Sequence, residues 1–78
     1  MSPSKKDDIK EIKRIIEIAT IAIPKERDAR NFYLAAAEHS PGEMSQQIFQ
    51  SLADQEEEHE ARLKALIAMF EERLEALK

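Results

Sequence analysis

The sequence has no cysteine, no tryptophan, a single glycine and three prolines. Without cysteine there can be no disulfide, no zinc–thiolate site and no cysteine-held iron–sulfur cluster. So few glycines and prolines leave few tight turns, which argues against a small β fold. There is no excess of basic residues, and the net charge of −4 gives no footprint for nucleic acid. No apolar run approaches the ~20 residues needed to cross a bilayer, so no membrane partner is expected. The lysines at Lys5 and Lys6 have no apolar core behind them, so the stretch from Met1 to Lys6 does not read as a secretory signal. A cytoplasmic protein is the expectation.

Within 78 residues, 42% are hydrophobic and 36% charged. That profile suits amphipathic helices rather than disorder. The length bounds the chain to one domain, residues 1–78. A domain this short buries little surface and is marginal unless something staples it. With thiols absent, the remaining staples are self-association and metal ligation by oxygen and nitrogen.

Hydrophobic spacing predicts two long helices. The first, over about residues 5–38, opens on Ser4-Lys5-Lys6-Asp7, a capping pattern. Ile9, Ile12, Ile16, Ala19 and Ile23 follow in steps of three and four. Ile15, Ile18, Ile21 and Ala22 widen that stripe, so this stretch is expected to touch more than one neighbour. β-Branched residues leave a lesser strand reading for residues 18–23. Pro24 removes an amide and crowds the Thr20 carbonyl, which predicts a kink or short break. The second helix, over about residues 41–77, is signalled by Ser40 as cap, Pro41 at the first position and Glu43 at the third. Its stripe runs Met44, Ile48, Leu52, His59, Leu63, Leu66, Phe70, Leu74 and Leu77. The fold class is all-α: an antiparallel αα-hairpin.

Three ionisable residues fall on these stripes. Glu26 projects from the first, and Glu56 and His59 stand on the second where leucine would be expected. Glu57, Glu58 and Glu60 read as a solvated face. A buried carboxylate is costly unless paired, so the partner is either a basic side chain, with Arg30 or Arg62 near enough, or a metal. Folding the hairpin about residues 41–42 puts Glu26 opposite residue 57, level with Glu56 and His59. One hairpin then offers three ligands and an open apolar face. A two-fold dimer would close that face and unite two ligand sets into a four-helix bundle. One glutamate from each of two helices with a Glu-x-x-His from each of the others is the ligand set of di-iron and di-manganese carboxylate bundles. Carboxylate and imidazole suit iron or manganese and also accept zinc.

The run Ala22-Ile23-Pro24-Lys25-Glu26-Arg27-Asp28-Ala29-Arg30-Asn31-Phe32-Tyr33 resembles the first metal helix of rubrerythrin-type ferritin-like proteins, and Leu52-Ala53-Asp54-Gln55-Glu56-Glu57-Glu58-His59 resembles their second. The likeness covers about residues 16–70, half of a four-helix member. It is nearest to the two-helix encapsulated ferritins, whose dimers form a ferroxidase centre and assemble into rings within a protein shell. The resemblance implies Glu26, Glu56 and His59 as ligands of two ions per dimer, with Tyr33 as a neighbour of those ligands. Lys25 and Asp28 stand where that group carries iron-entry acids, and Phe32 where it carries tryptophan.

The expected activity is oxidation of Fe(II) to Fe(III) with oxygen or peroxide, linked to iron storage or detoxification. The host would be the cytoplasm or a protein nanocompartment. The rival from another class is a non-catalytic helical dimer, metal-stabilised or metal-free, serving as an assembly module. Among the other residues, His39 reads as a helix-end side chain meeting the local dipole, and Met44 and Met69 read as packing.

Overall fold

The computed structural model describes residues 4–78; Met1-Ser2-Pro3, part of the stretch read as no secretory signal, lies outside the described residues. The chain forms helix α1 (Lys5–Glu38) and helix α2 (Glu43–Leu77), packed along their length as a hairpin of 57 × 22 × 14 Å. Among the described residues there is no strand, so residues 18–23 are helical. Helical spacing outweighs the β-branched preference here: Ala19 is buried and Ala22 and Ile23 are half-buried, while Ile18 and Ile21 face outward.

Ser4 caps α1, its hydroxyl accepting from the Asp7 amide at 3.1 Å. The helix runs through Pro24 without a break. Long flanking segments keep the helix going, and the Thr20 hydroxyl donates to the Ile16 carbonyl one turn before the proline's own missing bond. The second start differs from expectation. Gly42, not Ser40, is the cap of α2, with extended φ/ψ and no side-chain bond. Ser40 turns back instead, its hydroxyl donating to the Ala36 carbonyl at 2.6 Å, while the Gln46 side-chain amide donates to the Ser40 carbonyl. The connection thus serves the end of α1 more than the start of α2. His39 closes α1, its Nδ1 2.8 Å from the Ala35 carbonyl oxygen.

The core is thin. Ile12, Ala19 and Ala53 are the buried apolar residues among those described, and Ala53 is 1% exposed. Small side chains at the seam let two helix backbones approach closely, but they bury little area. Ile18, Ile21, Phe32, Met44, Ile48 and Met69 remain exposed. Met44 and Ile48, placed by their spacing on the packed stripe of α2, therefore lie outside the hairpin core. The helix carries two adjoining apolar faces. One, through Phe49, Ala53 and Ile67, is covered; the other points outward through Met44 and Ile48, with Leu66 half-buried at its edge.

Candidate metal centre

Glu26 lies near the middle of α1, and Glu56 and His59 near the middle of α2. The three-residue spacing of Glu56 and His59 sets them one above the other on one helix surface. The antiparallel hairpin brings Glu26 alongside. His59 Nδ1 is 3.4 Å from Glu26 Oε2 and 3.6 Å from Glu56 Oε2. One potential ligand atom from each of the three residues lies within 4.8 Å of the others. The carboxylates are mostly covered, with side-chain exposures of 25% and 19%, whereas the imidazole is 47% exposed. Ala22, Leu63 and Leu66 border the cluster with Arg62. This apolar rim faces the same side as the outward apolar surface.

The electrostatics of this cluster call for a cation. Glu26 Oε2 is buried and has no hydrogen-bond partner. The Glu56 pKa is raised above the ordinary carboxylate range, first by a hydrogen bond with Glu26, then by burial and by the Glu26 charge; His59 opposes the shift. Two adjacent, desolvated carboxylates are stable as anions only with positive charge between them. Among the described residues the only basic side chain against the pair is His59, itself one of the three clustered groups, and the arginines add nothing. Arg62 forms no ion pair among the described residues, and Arg30 pairs elsewhere.

That other pairing is what sequence reasoning missed. Glu60, read as part of a solvated face with Glu57 and Glu58, is buried at 8% exposure. Arg27 holds it in a two-pronged grip, Nε to Oε1 at 3.0 Å and Nη2 to Oε2 at 3.2 Å. Lys64 Nζ is 2.9 Å from Oε2, and Arg30 Nη1 is 3.7 Å from Oε1. The Arg27 bonds, then Lys64, hold the Glu60 pKa down to about 2 against the opposing effect of burial. One signal was available. Glu60 is one helical turn beyond Glu56, and so shares its inward face.

Tyr33 stands two turns beyond Glu26 on α1, half-buried, its ring edge-on to Phe32 with centroids 5.6 Å apart.

The sequence matches the family model described as Rubrerythrin over residues 17–78, a span that takes in all three clustered residues. The chain belongs to the rubrerythrin family. Rubrerythrin-type domains are di-iron ferritin-like proteins that typically bind iron and include oxidoreductases and iron-handling members. The rubrerythrin assignment and the carboxylate–imidazole cluster agree on an iron-type donor set. No curated protein and no solved structure matches the chain. No helix among the described residues is long and apolar enough to cross a membrane.

Proposed function

We propose that this rubrerythrin-family hairpin is one half of a ferroxidase: two copies pair into a four-helix bundle, and their clustered side chains together hold two iron ions. The observation that carries this reading is the orphaned, buried Glu26 Oε2 set against Glu56 and His59. Glu26 and Glu56 would serve as the shared or capping carboxylates, and His59 as the neutral terminal donor. Bound there, iron supplies the one-electron chemistry that carboxylates and imidazole lack. Six donors from two copies leave coordination positions free for an oxidant.

The chain's own part is to accept Fe(II), hold its charge and keep the pair together. Two Fe(II) would supply two electrons, which with two protons from solvent suffice to reduce oxygen to hydrogen peroxide or hydrogen peroxide to water. Ionised Glu26 and Glu56 stabilise the more highly charged ferric product electrostatically. Tyr33, on the same helix, would sit beside the ligands rather than on the ions. Manganese or zinc would satisfy the same donors, and zinc, which has no redox couple, would do so without turnover. The setting that goes with this reading is a dimer or ring of dimers in the cytoplasm or inside a protein shell.

Pairing of copies is supported by the thin core and by the exposed Ile18, Ile21, Met44, Ile48 and Met69. His59 opens toward that apolar side and would be covered by a second hairpin. The test is stopped-flow mixing of anaerobic Fe(II)-loaded protein with oxygen or peroxide. Wild type is expected to oxidise Fe(II) faster than buffer, and Glu56→Ala and His59→Ala are each expected to abolish the enhancement. Enhancement retained in both variants would overturn the assignment. Elemental analysis with mass measurement on the same sample separates this from a metal-free assembly module.

A further inference from the structure

The same hairpin carries a second cluster of charge with no place in the iron chemistry. Glu60, Arg27, Arg30 and Lys64 form it, with one buried carboxylate receiving three cations. By helical geometry, Arg27 and Lys64 lie toward the side of the hairpin opposite the one where Ala22, His59 and Leu66 meet. The cluster is also adjacent in sequence to the metal cluster at both helices. Arg27 follows Glu26, and Glu60 follows His59.

We propose that Glu60 is a positioning residue: gripped by Arg27, Arg30 and Lys64, it locks the axial register in which Glu26 comes level with Glu56 and His59. This inference rests on the metal-centre reading given above. The physical need for such a lock follows from the seam. Apolar contacts between helices are non-directional, and ridges of isoleucine, leucine and alanine can interlock again one turn away. A slip of one turn moves a residue by about 5.4 Å. Such a slip would separate ligand atoms that now lie within 4.8 Å of one another.

A guanidinium meeting both oxygens of one carboxylate fixes distance and orientation together. The Arg27–Glu60 contact does this between the two helices, at 3.0 and 3.2 Å. Lys64, one turn beyond Glu60 on α2, holds the carboxylate from its own helix, and Arg30 reaches it from α1. The registry role is the best-attested use of a buried ionic group. Here it is placed where an error would do most harm to the donor set.

The test uses the full chain and Co(II) alone, whose visible spectrum reports coordination and which avoids iron redox chemistry. Titrations are run well below the melting temperature on wild type, Glu60→Gln, Arg27→Met and Arg27→Lys, with His59→Ala as the ligand control. Arg27 is half-exposed, so its variants keep the fold available if Glu60→Gln does not. Wild type is expected to bind Co(II), and His59→Ala to lose binding. Glu60→Gln and Arg27→Met are expected to lose affinity by about tenfold, the lower end of the effect of groups that orient ligands, with an altered Co(II) spectrum at unchanged helicity. Arg27→Lys is expected to recover part of the affinity. Affinity and spectrum unchanged in helical Glu60→Gln or Arg27→Met would overturn the positioning role, even if melting temperature fell. Absence of Co(II) binding by wild type would overturn the metal-centre reading itself and this inference with it.

Discussion

Glu60 shows how much one side chain can decide. With its folded pKa at about 2 and an ordinary value near 4.3 in the unfolded chain, the folded state favours the ionised form. Its contribution to stability is therefore fully present above the unfolded value and fades as pH falls through the folded one. Thermal melts of metal-free protein between pH 5 and pH 2 are expected to show a progressive loss in wild type that is reduced in Glu60→Gln. Equal slopes in the two proteins would remove Glu60 from the acid response. Ala53 is the other decisive residue, buried at 1% exposure in the seam. Ala53→Leu is expected to overpack the helix contact and cost about 1–3 kcal/mol, read as a lower urea midpoint. The pairing of Glu26 with Glu56 and His59 was legible in the sequence because polar residues interrupted an apolar stripe. Glu60 was not, although it interrupts a stripe as well. The exposed Met44 and Ile48, with half-buried Leu66 in line with them, pulled the apparent centre of α2 toward its outer face, so the truly inward Glu60 fell outside the stripe.

At the scale of the element, each helix keeps one feature that a stable helix would do without. Pro24 lies exposed inside α1. Since it is exposed and lacks the amide a helix uses, Pro24→Ala is expected to stabilise the hairpin, by up to about 3 kcal/mol, measured by chemical denaturation. No gain would mean that the proline's rigid ring offsets the missing hydrogen bond. The two helices themselves were legible from period and caps, yet the start of α2 was not. Ser40-Pro41 has the sequence of a helix entry, but Ser40 bonds back to Ala36 and leaves Gly42 to cap without a side chain. Which of two helix ends a serine serves depends on the geometry of the turn, and a linear sequence carries that only weakly.

For the molecule as a whole, the balance between buried and exposed apolar surface sets the expectation. A pair of helices with three buried apolar residues among those described has too little core to stand alone. If two copies pair as proposed, Ile18→Glu and Ile48→Glu are expected to reduce the solution mass to that of the 9.0 kDa chain and to lower helicity. An unchanged mass in both would place the copy-to-copy contact elsewhere. Metal should act in the opposite direction, since binding to the assembled form at a hundred times the dissociation constant adds about 2.7 kcal/mol. A melting temperature indifferent to Mn(II) or Zn(II) would contradict this. The open side of the hairpin was half legible: the widened isoleucine stripe held more apolar surface than one helix covers, while the sequence did not say which part of it stays exposed.

His59, with its half-bare imidazole beside two covered carboxylates, gives the system a threshold. If a lone chain offers only three donors, its grip on iron is weak, and full capacity grows as the square of protein concentration while the protein is dilute. Newly made protein would then be redox-silent until enough of it had accumulated, so the cell would set the onset of iron handling through expression level, without any dedicated inhibitor.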